Sequence, residues 1–443
     1  MIDLLIELSK YIYIIMIGMY TYFSFRIFSK RDEDAKNLLC LKQKVLLFLM
    51  HFMMNFIIFM KTDSMELIIF YLAQVVFFAA LPALYSAIYP KSSKLLVNNM
   101  CMLLMIGLVM LSRLDFDKSV RQFEIAVLSG VITMFIPYLI KKLTFLKDLT
   151  YFYAGAGIIL LAIVFIVGQV TYGAKLSFEI AGVGIQPSEF VKIIYVFFVA
   201  SMLCKSKEFY QVVQTSIFAG IHVIILVLSK DLGSALIFFI AYLFMLYVAT
   251  HKILYLGAGT LLGCVAAVGA YFMFNHVRVR VLAFTDPFSV IDNEGYQVTQ
   301  SLFAIGTGGW FGMGLYQGCP KLIPVVEEDF IFSAISEELG LLFALCVILI
   351  CLSCFVMFIH IAMQIKDEFH CLCATGLACV VAFQTFLTIG GAVKFIPSTG
   401  VTLPLISYGG SSCFSTMIIF AIIQGIYICQ KTKTSGKRKK EVS

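Results

Sequence analysis

Apolar runs of about 20 residues recur along the chain, separated mostly by connections of a few polar residues. A helix of that length crosses a hydrocarbon core of about 30 Å, where only helices and closed barrels satisfy every backbone hydrogen bond. Thirteen runs are predicted to span, near 9–28, 43–61, 65–88, 95–112, 123–140, 150–170, 189–204, 210–229, 232–249, 253–274, 330–359, 370–392 and 407–429. The fold class that follows is an all-α polytopic membrane protein. Composition agrees, because 61% of residues are hydrophobic and only 13% charged, against about 25% charged in soluble domains. MIDLLIELSK carries Asp3 and Glu7 but no basic n-region or small-residue cleavage site, so no cleaved signal peptide is expected. The 13 cysteines fall mostly inside apolar runs, where the side chain packs as a small hydrophobe, so no disulfide framework is expected. Cys351 and Cys354 form a CxxC in mid-helix and read as packing rather than redox chemistry.

Sidedness follows from the lysines and arginines. Connections after odd-numbered spans hold Lys30, Arg31, Lys36, Lys42 and Lys44, then Lys91 and Lys94, Lys141, Lys142 and Lys147, Lys205 and Lys207, Lys252, Lys366, and the KTKTSGKRKK tail. Such bases mark the cytoplasmic face. The N-terminus and the loops 171–188, 276–329 and 394–406 are therefore expected on the outer face.

Those outer loops hold the polar motifs. Gly173-Ala174-Lys175 precedes GIQPSEFVK, where Pro187 suits a first helical turn, Glu189 complements the positive helix end, and Glu189 and Lys192 lie three apart. Gln186, Ser188, Glu189 and Lys192 are candidate binding residues; the other reading is a capped helix with an ion pair. Asp231 opens a membrane helix at DLGSA, either as a ligand group or as a helix-end acid. GTGGWFGMG, from Gly306 to Gly314, lacks the strand and helix context of a nucleotide-binding loop and reads as a tight or flexible turn that rests Trp310 on the bilayer surface. The Pro/Gly/Ser stretch from Pro397 to Ser412, with Ser407 and Ser411, suggests non-helical backbone walling a cavity, or a tight turn.

The acidic cluster is the strongest candidate. Pro324-Val325-Val326-Glu327-Glu328-Asp329 stops at an apolar run, which places Asp329 at the water–lipid boundary beside a helix N-terminus. Glu337 and Glu338 are expected deeper in the same helix, Glu337 nearer the Asp329 side. Carboxylates at membrane depth are costly and point to function. Arg278, Arg280, Lys192, Lys321 and Lys394 are the available outer-face cations.

GAK…IQPSEFVK, DLGSAL, RVRVLAFTDP, GYQVTQSLFAIGTGG, DFIFSAISEELG and STGVTLPLISYGGSS, in that order, resemble the SEDS family of bacterial cell-wall proteins, the group of FtsW, RodA and SpoVE. The resemblance covers roughly residues 95–430. It implies a ten-helix core over 91–430 containing the outer loop 276–329, preceded by about three extra spans in 1–90 and followed by a basic tail, 431–443. It further implies a peptidoglycan glycosyltransferase of the bacterial cytoplasmic membrane that polymerises lipid II on the outer face, in division, elongation or sporulation. The sugar hydroxyl of one disaccharide would attack the anomeric carbon of another, with undecaprenyl diphosphate leaving. Asp329 matches the family's essential acid. Arg278, Arg280, Gln186, Ser188, Glu189, Lys192, Asp231, Lys394, Ser407 and Ser411 are the expected substrate-binding residues, with Glu328 and Glu337 in support. A divalent cation, Mg or Mn, is the one cofactor to consider. Lipid II, a class B penicillin-binding protein and membrane lipids are the expected partners, and nucleic acid is not. A lipid II flippase or permease and a non-catalytic scaffold are the rival readings; a transporter would place its charges near the midplane of paired repeats, whereas these gather in outer loops.

The chain departs from the family pattern at the acid. Where the family reads Pro-Glu-x-His-Thr-Asp, Val325 replaces the Glu, and Glu327 and Glu328 replace the His-Thr pair. Thr388 stands for a common Asn, and Lys394 for a small residue. The charge pattern yields a direct test: in intact protoplasts a cysteine at Asn293 should react with an impermeant maleimide and one at Lys36 should not. Reaction at both, or the reverse pattern, contradicts the thirteen-span topology.

Overall fold

The computed structural model describes residues 2–171, 174–180, 183–293 and 295–442, with backbone alone at 144, 169–171, 174–180, 183 and 433–442. Gly173 and the side chains of the basic tail beyond 432 fall outside the described residues. The chain divides into two compact units, one formed by Met1–Ile132, Arg280–Cys354 and Thr385–Gly409, the other by Thr133–Val279, Phe355–Gln384 and Gly410–Ser443.

The first unit contains α1 (Ile2–Arg26), α2 (Glu33–Thr62), α3 (Met65–Ile88), α4 (Lys94–Leu114) and α5 (Phe116–Thr133). Asp32 starts α2 by accepting from the Asp34 and Ala35 N–H groups, and Asp63 ends it in the left-handed region at φ 50°, so α3 follows after a two-residue turn. α4 is buried along its whole spanning length. Asn98 and Asn99 would be costly in such a helix without partners. Asn99 accepts from Tyr20 Oη (3.1 Å) and Ser24 Oγ (3.3 Å) of α1, and Asn98 donates to the Cys40 carbonyl (2.9 Å) and Gln43 Oε1 (3.2 Å) of α2. Gln43 in turn donates to Ser24 (2.8 Å). This buried network ties the first two helices to α4.

Among the described residues, twelve helices are long and apolar enough to cross a membrane, and α1 is not one of them. Its 25 residues nevertheless extend about 37 Å at 1.5 Å per residue. One end meets Asn99 near the start of α4. At the other, Asp3 binds Gln317 (3.2 Å), beside Gly318, whose carbonyl Arg113 from the last turn of α4 reaches (3.2 Å). α1 therefore runs antiparallel to α4 over its length, with its N-terminal end beside Gln317 and the last turn of α4.

The rest of this unit comprises the end of α12 (Asn275–Thr285), α13 (Tyr296–Gly308), α14 (Ile331–Leu339), the start of α15 (Leu341–Gln364), and the end of α16 (Glu368–Ala392) with the chain that follows it to Gly409. The single span expected over 330–359 is thus two helices. Gly340, at φ 90°, cannot continue a helix, so the membrane crossing is α15 and Glu337 and Glu338 lie in the last turn of a separate, short, buried helix.

In the second unit α6 (Ile136–Lys142), α7 (Thr150–Val167), α8 (Pro187–Lys205), α9 (Phe209–Leu228), α10 (Leu232–Thr250) and α11 (Ile253–Met273) are joined by α16 (Glu368–Ala392), up to Gln384, and α17 (Gly410–Val442). α8 is mostly buried and packs against α7, α9, α10 and α17. The expected 171–188 loop begins as a small antiparallel ribbon, β1 (Gln169–Thr171), β2 (Ala174–Ile180) and β3 (Val183–Ile185), with Thr171 opposite Ala174 and Ile180 opposite Val183. It ornaments an otherwise all-α polytopic fold.

Close packing at Gly107 seats the 403–409 turn on α4. A Cβ there would lie 2.6 Å from the Ile406 carbonyl oxygen and 2.9 Å from that of Leu405, a clash with backbone that cannot move aside cheaply. Gly107→Ala should cost about 1–3 kcal/mol and lower the melting temperature in detergent. Gly18→Ala, which meets nothing within 4 Å, should be neutral or stabilising by up to about 1 kcal/mol. Equal melting temperatures for the two variants contradict the packing account.

Candidate active site

The acidic loop sits in the first unit and is fixed from several sides. Glu328 N–H donates to the Val325 carbonyl (3.1 Å), closing a turn in which Val325 takes the left-handed region at φ 54°. A β-branched residue there is strained, and such strain persists only where surrounding contacts impose it. Those contacts come from the 403–409 turn: Tyr408 N–H donates to the Glu327 carbonyl (2.7 Å), and Ser407 Oγ donates to the Glu328 carbonyl. Gln122 of α5 braces the turn itself, donating to the Ser407 carbonyl (3.3 Å) and accepting from Gly409 N–H (3.2 Å). Ser407, expected to bind substrate, is therefore bonded to the acidic loop.

The three acids end in different electrostatic situations. Glu327 forms an ion pair with Lys118 of α5, whose ammonium also lies over the Tyr408 ring. Glu328 is partly buried, and burial, together with the charges of Asp329 and Glu327, pushes its carboxyl up to about 7 against the pull of Lys118. Asp329 lies two residues before α14. Burial raises its carboxyl to about 6, opposed by the Arg280 guanidinium. Gly400, at φ 71°, sits beside both: a Cβ there would be 3.5 Å from Arg280 Nη2 and 3.6 Å from Asp329 Oδ2. Arg280 is oriented by the Ser398 carbonyl (3.2 Å), and the 398–401 backbone by Thr388, which donates to the Val401 carbonyl (2.7 Å). A base-competent carboxyl, a guanidinium and open backbone thus meet at one place, and this can accept a proton beside a stabilised negative charge.

Behind the loop, Glu337 Oε1 accepts from Cys319 N–H (3.0 Å) and Glu338 accepts from Arg113 (3.0 Å), which stacks on Tyr316 with its guanidinium carbon 4.0 Å from the ring centroid. The glycine run is tight rather than flexible. Met313 and Gly314 N–H groups bond the Glu337 and Glu338 carbonyls (both 2.9 Å), and a Cβ on Gly312 would lie 2.4 Å from the Glu338 carbonyl. Trp310 stays exposed.

Most other expected binding residues gather in the second unit as a largely self-satisfied cluster. Glu189 and Lys192 pair at 2.7 Å, Ser415 donates to Glu189 (2.8 Å), and Lys192 donates to Gln384 (2.8 Å). Ser188 donates to Asp231 (3.0 Å), which also caps α10 through Ser234 N–H (3.1 Å), and Gln186 bonds Ser188 (3.2 Å) and Ser411 (3.0 Å). Arg278 caps α11, donating to the Tyr271 (3.2 Å) and Phe272 (2.9 Å) carbonyls. Lys394 turns the chain after α16 at φ 55°, and Lys321 is exposed. Among the described residues no group of three His, Cys, Asp or Glu is placed to hold a metal. Lys118 and Gln122 escape the sequence reading, because their partners lie far along the chain, and Gly400 lies in the stretch read as a cavity wall without its place beside Asp329 being legible.

The family model for FtsW, RodA and SpoVE, described as "Cell cycle protein", matches residues 94–432. The chain belongs to this SEDS family. It is 35% identical over 264 residues to the peptidoglycan glycosyltransferase RodA of Mycobacterium tuberculosis, a match covering 55% of each chain, so it spans about half the length of that relative. Its fold resembles a chain from a peptidoglycan synthase complex described for coordinating polymerization and crosslinking (TM-score 0.65, 24% identity, 76% of this chain and 97% of that one). It also resembles the rod shape determining protein RodA of Thermus thermophilus (TM-score 0.57, 23% identity, 76% and 96%). Within the SEDS pattern, the two glutamates that replace His-Thr are electrostatically unequal, one paired with Lys118 and the other left beside Asp329.

Proposed function

We propose that the chain is a peptidoglycan polymerase acting on lipid II at the outer face of the bacterial cytoplasmic membrane. The observation that carries this reading is the partly buried Asp329, raised towards neutrality and facing Arg280, in a SEDS chain similar to a protein named peptidoglycan glycosyltransferase.

In the reaction, the acceptor sugar hydroxyl forms a bond to the anomeric carbon of the donor, and the bond from that carbon to undecaprenyl diphosphate breaks, with the electron pair leaving on the diphosphate. Asp329, ionised, takes the hydroxyl proton. Arg280 stabilises the leaving charge, and Glu328 lies beside Asp329. Two neighbouring carboxylates fit a Mg or Mn ion shared with a substrate phosphate better than a dedicated protein cage, since Mg commonly uses one or two carboxylates plus substrate oxygens. Such an ion would supply further neutralisation of the diphosphate. A class B penicillin-binding protein, crosslinking the product strands, is the proposed partner; the resemblance to a synthase complex that couples polymerization and crosslinking supports it.

General-base catalysis is worth about 10²–10⁴-fold. Asp329→Asn should therefore lower polymerisation of fluorescent lipid II, read as product length on a gel, by about a hundredfold or more, with extraction and folding unchanged. Glu328→Gln should retain most activity. Near-normal synthesis by Asp329→Asn with loss in Glu328→Gln assigns the base to Glu328; no effect of either variant overturns the polymerase reading.

A further inference from the structure

The first helix, which precedes the region matched by the family, reaches the back of the acidic site. Ile6 is almost completely buried, and its Cγ2 would lie only 2.6 Å from a Cβ built on Gly314, which holds φ 105°. Asp3 pairs with Lys61 at the end of α2 (3.0 Å) and accepts from Gln317 (3.2 Å). Tyr11 meets Phe311 with ring centroids 5.5 Å apart. The contacts of Ile6 with Gly314, Asp3 with Gln317 and Tyr11 with Phe311 across this seam all fall on the 311–317 segment.

That segment is bonded as a ladder to the end of α14. Met313 and Gly314 donate to the Glu337 and Glu338 carbonyls, while Leu341 and Leu342 donate back to Gly309 (2.9 Å) and Trp310 (3.2 Å). α14 has nine residues, too short to flex internally, and Asp329 lies two residues before its first. Ser333 of α14 is itself bonded to Ser301 of α13 (2.6 Å). A displacement of the ladder is thus carried along about two and a half turns of helix to the acid.

We propose that α1 is a positioning element for the reaction, with Ile6 and Tyr11 holding the 311–317 segment and through it α14 and Asp329. The proposal rests on the polymerase reading, and it gives a catalytic role to part of the chain outside the family core. A Cβ on Gly314 would lie 2.6 Å from Ile6 Cγ2 and 3.7 Å from the Ile6 carbonyl oxygen, so the buried Ile6 fills the space beside the glycine and acts as a spacer between α1 and the ladder. The hydrogen bonds of Tyr20 and Ser24 to Asn99 anchor the same helix but lie at its other end, remote from the ladder. Positional errors near 1 Å cost about a hundredfold when they reach the reacting groups, and transmission through one helix should deliver a fraction of that.

The test compares full-length Ile6→Ala, Ile6→Val, Tyr11→Leu and Tyr20→Phe. Hydrogen–deuterium exchange should rise in both 311–317 and 331–339 for Ile6→Ala and Tyr11→Leu, and in neither segment for Tyr20→Phe. Turnover of lipid II should fall about tenfold in Ile6→Ala, with KM changed less than about twofold, and Ile6→Val should recover it. Tyr20→Phe should lower thermal stability while leaving turnover unchanged. Unaltered exchange in 331–339 for both Ile6→Ala and Tyr11→Leu overturns the proposal, as does normal turnover despite raised exchange, or an equal loss in Tyr20→Phe. If the wild type makes no glycan, the polymerase reading fails, while the exchange comparison still decides whether α1 holds the segment.

Discussion

The acidic loop depends on two hydrogen bonds from the 403–409 turn to its backbone, Tyr408 N–H to Glu327 and Ser407 Oγ to Glu328. Without them a strained Val325 and three consecutive acids would have no reason to stay folded against an apolar helix. The turn can reach the loop because Gly107 lets its backbone lie directly on α4. It stays there because Gln122 bonds it from α5. Main-chain anchoring leaves the side chains of Glu328 and Asp329 free for chemistry while fixing where they begin.

Charge is distributed around this anchor with clear purpose. Lys118 cancels Glu327, Arg113 meets Glu338, and Arg280 faces Asp329. Glu328 is left as a like charge beside Asp329 and is held towards neutrality for that reason and by burial. A carboxyl kept near neutral pH is costly to ionise and correspondingly effective as a base. The second unit handles its buried charges differently, pairing Glu189 with Lys192 and linking both to neutral partners, which favours rigidity over proton transfer.

Much of this was legible in the chain. The apolar runs located the twelve helices that are long and apolar enough to cross a membrane among the described residues, since length and hydropathy decide that matter locally, while the expected run 9–28 falls on α1, which is not one of them; DFIFSAISEELG pointed to Asp329 and Glu337. The break at Gly340 was hidden because the run stays apolar on both sides of it; the Glu-Glu-Leu-Gly ending was the available signal, a glycine after a helix. Arg278 and Arg280 look alike in sequence, yet one caps α11 and the other faces the acid. The roles of Lys118, Gln122 and Gly400 could not be read, because each is defined by a partner more than 60 residues away, at Glu327, Ser407 and Asp329. The ribbon β1–β3 lay in a stretch that read only as a loop.

The central claim is that the reaction uses a carboxyl held well above its ordinary range by burial. The pH–rate profile of lipid II polymerisation tests it most directly. A general base works only when ionised, so activity is present above its pKa and lost as pH falls through it. The pair Asp329 and Glu328, raised to about 6 and about 7, should place the acidic limb between those values as a property of the coupled pair. In Glu328→Gln, relief of the like charge should move the limb downward. A limb near pH 4, where an exposed carboxylate titrates, or a profile flat across the range, would contradict the account.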